Sequence, residues 1–395
     1  MSFGRSMLAH WSLDPDVTYL NHGTVGVAPR RVLAAQQAIR DEMERQPSRF
    51  LLRDVSGLVG MPRSEPTAMR RAAGAVASFI GAQSQDVVFV DNATTGVNAV
   101  LRSWPLEPGD EILVTDHNYG ATARVAAFVA RERRAHVRTA TVPYPAYDPG
   151  RLVEAVSAAI TSRTRIAVLD HISSESALIF PLAELTAACR ARGVPVLVDG
   201  AHAPGVLHLD VPALGADWYV ANLHKWAHAP RSCGFLWAHP SRQTGLHPAV
   251  ISWGLDQGFL AEFDWVGTRD PSPWLAAPDG IAFLNELGMD AVQRYNHDLA
   301  WRAAERLSAR WGTTLGVKEP NIGFMVTLPL PAALGNTPEA AARLRDALLF
   351  EDRIEIQIHA SHSRLWARVS CQVYNEIGDI ERLAEAIERR ATRAH

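Results

Sequence analysis

The chain is expected to fold as an α/β protein: a large domain with a mostly parallel sheet between helices, followed by a smaller α+β unit. Three observations carry this. Short apolar, β-branched runs alternate with helical segments from about residue 86 to residue 225, the rhythm of βαβ units whose strands are buried on both faces. Beyond about residue 278 that rhythm gives way to a long helical stretch and a few elements of mixed type. A length of 395 residues, 47% of them hydrophobic and 21% charged, supplies core for two or three structural units.

The elements follow in order. Residues 1–30 read as an N-terminal arm that leads through "YLNHGTVGVAPRRVLAA". Residues 31–277 form the large domain. It opens with two amphipathic helices, "RRVLAAQQAIRDEMERQ" and "TAMRRAAGAVASFIGA". Then come the strand "DVVFV", the helix "TTGVNAVLRSW", the strand "EILVTDH", the helix "ATARVAAFVARERR" and the strand "HVRTATV". The strand "RIAVLDHIS", the helix "LAELTAACRARG" with its terminal glycine, and the strand "VPVLVDG" continue the alternation. Residues 278–395 form the smaller unit: one long helix, "DGIAFLNELGMDAVQRYNHDLAWRAAERLSARW", then "GFMVTLPL", "PEAAARLRDALLF", the strand "WARVSCQV" and the helix "GDIERLAEAIERRA".

Composition excludes several classes. A formal net charge of −3 gives no basic footprint for nucleic acid. No apolar run has signal-peptide or membrane-spanning length, so a cytoplasmic protein is expected. Cys189, Cys233 and Cys371 lie far apart, without a CxxC pair, and read as core thiols. His202, His208, His224 and His228 lack metal-ligand spacing and there is no HExxH, which argues against a metal hydrolase. A DNA-binding regulator is disfavoured because only about 20 residues precede "YLNHG".

The chemistry gathers at strand ends. Of 39 basic residues only two are lysines, Lys225 and Lys318. Surface positive charge is carried by arginine, so Lys225, directly after a histidine, is not a routine surface charge. Asp199 ends the apolar run "VPVLVD", and Asp91, Asp116, His117, His171, His224 and Lys225 end or follow neighbouring strands. Ligands of open α/β sheets bind outside the carboxyl ends of the strands. A buried carboxylate needs a partner, and a lysine in a cleft can lose its charge and attack carbonyls. A pyridoxal cofactor uses both groups: the amine holds its aldehyde, and the acid keeps its ring nitrogen protonated. On these two residues alone, an ordinary strand-end acid with an unrelated lysine explains the pattern as well. In "DNATTGVNAV", Thr94 and Thr95 open a helix after a strand. Free N–H groups and hydroxyls there suit a phosphate, although N-capping by threonine also accounts for them.

In combination these motifs, with "RFLLRDV", "DHNYGA", "DHISSESALIFPLAEL", "VDGAHAPG", "HKW", "GTRDPSPWLA" and "RVSCQVYNEIGDIERL", resemble the fold-type I pyridoxal phosphate enzymes of the class V aminotransferase family. Within it the chain looks most like the isopenicillin N epimerase-like group. The resemblance covers nearly the whole chain and implies a seven-stranded, mostly parallel sheet and bound pyridoxal 5′-phosphate. It implies that Lys225 carries the cofactor as a Schiff base and that Asp199 pairs with the ring nitrogen. His202 contacts the ring oxygen, and Thr94, Thr95 and His224 hold the phosphate, with Asn222 nearby. Asn118 falls where relatives stack a histidine on the ring; His117 or Tyr119 can take that place instead. Gly267 and Thr268 reach the phosphate of a neighbouring subunit, which implies a homodimer with shared sites. Arg368 grips the substrate α-carboxylate as a bidentate fork. Ser174, His22, His359 and His362 are expected around the substrate, the last two on a loop.

The same resemblance implies an amino-acid-type substrate and chemistry at Cα, with Lys225 as the base. It puts an isopenicillin N epimerase-like epimerisation first, β-elimination at a carbon–sulfur bond of a cysteine conjugate or sulfoxide second, and transamination third. Epimerisation needs a second proton donor, for which His22, Tyr119, His359 and His362 are candidates. No cysteine stands on the loop before Arg368, which disfavours persulfide chemistry.

Overall fold

The computed structural model describes residues 2–59 and 65–393. Its centre is a seven-stranded sheet made of β1 (Val87–Val90), β2 (Glu111–Thr115), β3 (His136–Ala140), β4 (Thr164–Asp170), β5 (Val196–Asp199), β6 (Trp218–Asn222) and β7 (Gly234–Ala238). The spatial order is β1-β7-β6-β5-β4-β2-β3. The strands run parallel except β7, which is antiparallel to both of its neighbours. Strands β1, β5 and β6 are buried along their length, as continuous apolar runs require. Only the edge strand β3 is exposed, and its sequence HVRTA is accordingly mixed.

The parallel register brings the strand ends level. Asp170 at the end of β4 lies directly beside Asp199 at the end of β5. Helix α1 (Ala93–Ser103) follows β1, and α2 (Gly120–Arg133) follows β2, so both helices start at this same edge.

The second unit has its own core, built from residues such as Leu299, Leu328, Leu348, Ile358, Val369 and Ile387. Its antiparallel sheet comprises β8 (Met325–Pro329), β9 (Gln357–Ser361) and β10 (Arg364–Ser370), with β10 in the middle. The register pairs Arg368 with Gln357 and Thr327, and Trp366 with His359. Because successive side chains alternate between faces, these residues share one face of the sheet.

Two expectations are corrected. The long helix is two helices, Ala277–Leu287 and Met289–Trp311, because Gly288 between them takes φ 82°. The expected loop before Arg368 is strand β9 and a tight hairpin turn at His362 and Ser363, both with positive φ.

The N-terminal arm ties the two units together. Thr18 and Tyr19 pair in parallel with Ile354 and Glu355, and Ser370 N–H donates to the Leu20 carbonyl at 2.9 Å. Residues 22–26 then press onto the loop that carries Lys225. A Cβ on Gly26, which has φ 65°, would sit 1.8 Å from the His224 carbonyl oxygen.

Candidate active site

A cavity of about 400 Å³ opens at the carboxyl ends of the parallel strands. Lys225, Asp199, His202, Asn222, His224, Thr94, Thr95, Tyr119 and Ser174 all line it. Lys225 is held on the turn after β6, with its Nζ 3.2 Å from His202 Nε2. Burial, assisted by the nearby Arg368 cation and opposed by Asp199, lowers its pKa to about 7. Half of this amine is therefore neutral near pH 7. His202 itself is held well below the usual imidazole range by burial and then by the Lys225 charge, so its ring is neutral.

Asp199 is anchored from two sides. Thr122 Oγ1, on α2, donates to its Oδ2 at 2.9 Å, and the Ala201 N–H donates to its Oδ1 at 3.1 Å. Burial raises the Asp199 pKa and these donors oppose the rise. The neighbouring Asp170 also lines the cavity. Burial and the Asp199 charge push its carboxyl well above the usual range. Asn118 Nδ2 donates to Asp170 Oδ2 at 2.7 Å.

The start of α1 forms an anion cradle. Asn92 caps it by accepting from Thr95 N–H at 2.9 Å, and Asn222 Oδ1 accepts from Ala93 N–H at 2.8 Å. The Gly96 N–H donates to the Asn92 carbonyl. These bonds leave the Thr94 N–H and the Thr94 hydroxyl on the cavity wall, at a helix N-terminus that favours negative charge. His224 completes the cradle. Its Nδ1 is spent on the Cys233 carbonyl at 2.8 Å, and burial lowers its pKa to about 4.

Arg368 enters from β10 of the small unit and is 3% exposed. Its Nη1 donates to the Ser174 carbonyl at 2.7 Å, and its Nη2 donates to Thr24 Oγ1 at 2.7 Å. Nε is buried without a partner. No carboxylate of the protein pairs with this guanidinium among the ion pairs of the described residues. Arg368 itself is outside the cavity lining, but both residues that hold it, Ser174 and Thr24, line the cavity; a buried cation held by neutral oxygens there is suited to an anionic group.

The structure redistributes several sequence-derived assignments. His22 is fully buried and does not line the cavity. Its Nε2 bonds the Lys225 carbonyl at 3.0 Å and its Nδ1 bonds Tyr374 OH at 2.8 Å. Burial lowers its pKa to about 4. It braces the lysine loop from behind, and Thr24, four residues from Leu20 on the same arm, reaches the cavity instead. Of the three residues in "HNY", only Tyr119 lines the cavity, and it is 48% exposed. Asn118 turns inward to the Thr115 N–H and to Asp170. His117 Nδ1 bonds Ser176 Oγ at 2.7 Å. His359 stands on β9, and His362 is exposed at the hairpin tip. Gly267 and the exposed Thr268 lie outside the cavity lining; the adjacent Arg269 pairs with Asp91 at the end of β1.

Asp170, Thr122 and Thr24 went unassigned in the sequence. Asp170 carried a signal, since it ends a strand as Asp199 does. Thr122 and Thr24 carried none, because a threonine near a helix start usually serves only its own backbone. Cys189, Cys233 and Cys371 are all buried, and no group of three metal-ligating side chains occurs among the described residues.

These residues fit pyridoxal phosphate. The cavity presents a reactive amine, an anchored carboxylate on the neighbouring strand and an anion cradle on a third element. The His202 Nδ1 is buried with no protein partner, as expected of a site whose hydrogen bonds are completed by a bound group.

Comparisons with known proteins agree. The description "Aminotransferase class-V" matches residues 28–383. An isopenicillin N epimerase of Streptomyces clavuligerus is 34% identical over 394 residues, covering 95% of each chain. A probable chloroplastic L-cysteine desulfhydrase of Arabidopsis thaliana is 33% identical, over 95% of this chain and 83% of that one. The solved structure of a cysteine desulfurase from Thermococcus onnurineus has a TM-score of 0.79 at 19% identity, covering 99% of both chains; this similarity concerns the fold. With its seven-stranded mixed sheet and this site, the chain belongs to the class V aminotransferase family of fold-type I, pyridoxal-phosphate-dependent enzymes.

Proposed function

We propose that the enzyme cleaves the Cβ–S bond of an amino acid of the cysteine-conjugate type by β-elimination. The observation that carries this is the single amine base of the cavity. Lys225 Nζ, with its pKa near 7, faces the cavity, while His22, the arm histidine expected as a candidate second proton donor, is committed to the Lys225 carbonyl and Tyr374. Elimination needs one base at Cα; epimerisation needs proton donors on two faces.

Each residue has a defined task in this reading. Asp199, held by Thr122 and Ala201, pairs with the cofactor's ring nitrogen; Thr94, Thr95 and His224 hold its phosphate, and Asn222 fixes the start of the cradle. His202 hydrogen-bonds the ring oxygen. Bound pyridoxal phosphate supplies an electron sink for the electron pair left at Cα. Arg368 and Ser174 orient the substrate α-carboxylate. Lys225 takes the α-proton onto Nζ. The Cβ–S electron pair leaves with the sulfur, which gains a proton, and water completes the overall conversion to thiol, pyruvate and ammonia.

One observation favours epimerisation as a second reading: Tyr119, a second proton-bearing side chain, lines the cavity and is 48% exposed. The two readings separate when the holoenzyme is incubated with L- and D-amino acids and cysteine conjugates in deuterated water. Pyruvate with a released thiol supports elimination. Deuterium at Cα with a changed enantiomer ratio, and no pyruvate, overturns it in favour of epimerisation. Conversion of the cofactor to its amine form overturns it in favour of transamination.

The working unit in this reading is a homodimer. Gly267 and Thr268 face the partner's phosphate. In the neighbouring segment Val250, Ile251 and Trp253 are exposed, Trp253 to 77%, an apolar surface that a second copy would cover. Sedimentation at working concentration tests this, and a fully active monomer rejects it.

A further inference from the structure

Two carboxyls, not one, stand together on the cavity wall. Asp170 ends β4, Asp199 ends β5, and the parallel register sets them directly side by side. Register partners point to the same face, and neighbouring strands lie about 4.8 Å apart. Both residues line the cavity and both are 2% exposed. The chemistry above gives Asp199 a task and leaves Asp170 without one.

One turn ties the two acids together. Asn118 Nδ2 donates to Asp170 Oδ2 at 2.7 Å, and Asn118 Oδ1 accepts from the Thr115 N–H at 2.7 Å. Asp170 thereby holds the turn that places Tyr119 on the cavity wall. A few residues on, Thr122 Oγ1 donates to Asp199 Oδ2 at 2.9 Å.

The surroundings decide how many charges the pair carries. Asp199 has a cation within reach, Lys225, and donors on both oxygens. The side-chain charge that acts on Asp170 is that of Asp199, of the same sign. The other titratable groups around the pair add no positive charge. His171, next to Asp170, bonds Tyr219 OH through Nδ1 and is neutral, because burial lowers its pKa to about 4. Tyr219, packed against Gly200, is neutral because burial and the Asp199 charge raise its phenol. His202 and His224 are neutral as described, and the Tyr119 phenol faces the cavity from the turn. Bound pyridoxal phosphate brings one protonated ring nitrogen, which pairs one carboxylate. Two adjacent buried carboxyls therefore share a single negative charge.

Resting on the cofactor assignment above, we infer that Asp170 is a positioning residue of the ring-nitrogen site: it keeps its proton while Asp199 carries the charge of the pair, and in that neutral form it holds Asn118 and the turn of Tyr119. A second charge here would set two carboxylates against one ring nitrogen, on a wall that also has to accept a phosphate.

The proton is read from the holoenzyme by infrared difference spectroscopy with isotope-labelled aspartate carboxyls. The wild type at pH 7 should show the carbonyl band of a neutral carboxyl, and Asp170→Asn should lack that band. In Asp199→Asn the like charge is gone, so the band should disappear at a pH lower by about one unit or more. Cofactor release on dilution of the holoenzyme, read from the cofactor absorbance, tests the positioning role. Asp170→Asn keeps the neutral form and an acceptor for Asn118, so its cofactor affinity should stay within about threefold of the wild type. Asp170→Leu leaves the Asn118 amide unpaired and should weaken that affinity about tenfold or more. The infrared results stand even where the leucine variant folds poorly. A wild type without a neutral-carboxyl band that Asp170→Asn removes overturns the inference, and so does a band indifferent to Asp199→Asn. Equal cofactor affinity in the asparagine and leucine variants overturns the positioning role. A wild type that binds no pyridoxal phosphate overturns the cofactor assignment instead.

Discussion

The reactivity of Lys225 gives the sharpest test of the site. Its pKa near 7 has two causes. Burial disfavours the ammonium, and the buried Arg368 cation adds to this, while Asp199 partly compensates. The same side chain in a disordered chain titrates near 10.5. At pH 7 about half of the folded amine is neutral, against about one part in three thousand for the disordered one. The structure thus makes the nucleophilic form roughly a thousandfold more abundant. The sign follows from the direction of the shift: a lowered pKa means the proton is lost earlier on raising the pH. Reaction of the cofactor-stripped enzyme with a limiting amine acylating reagent should rise between about pH 6 and 8 and then level off. Mass spectrometry of the peptide carrying Lys225 measures it, and the denatured chain is the reference. Arg368→Met should move the midpoint upward, because the second cause of the depression is gone. A midpoint within a unit of the denatured reference would refute the reasoning.

Three further outcomes follow from the geometry. Asp199→Asn should retain cofactor through the phosphate cradle yet lose about 100-fold or more in kcat, because the neutral ring withdraws electrons poorly; near-normal turnover with full cofactor content contradicts the assignment. Arg368→Lys keeps the charge and loses the planar fork, so kcat/KM for a carboxylate substrate should fall by about 2 kcal/mol, near thirtyfold, in steady-state assays. Gly26→Ala places a methyl 1.8 Å from the His224 carbonyl at φ 65°; denaturant unfolding should show a loss of about 3 kcal/mol or more, with cofactor content falling alongside.

The sheet and most of the cavity wall were legible in the sequence for one reason. Parallel buried strands are written as continuous apolar runs, and the residue that ends each run has its place set by the fold class. Asp199, Thr94, Thr95, His224 and Lys225 needed no more than that to be drawn together. What stayed illegible depends on packing between distant segments. Nothing in "YGATAR" shows that Thr122 turns its hydroxyl to Asp199, 77 positions later. "IHASHS" reads as a polar loop until its register with "RLWAR" makes it a strand and sets His359 opposite Trp366. Asn118, expected against the ring, spends its amide on the Thr115 N–H and Asp170, a competition between partners that spacing does not reveal.

His22 shows best why such tertiary information matters. A histidine on an arm near a catalytic lysine invites assignment as an acid or base. Its position gives it another use. Residues 21–26 touch both ends of the site: Thr24 accepts from Arg368 and donates to Asn21, and His22 grips the carbonyl of Lys225. The arm is also sewn to the small unit through Leu20 and Ser370, and His22 to Tyr374. Residues 22–24 thus join Arg368 to the backbone that carries Lys225 through hydrogen bonds. A histidine with both ring nitrogens committed and a pKa near 4 is unsuited to carrying protons at neutral pH. It is suited to holding one backbone carbonyl in place, which on this arm fixes the backbone of Lys225 relative to the buried guanidinium of Arg368.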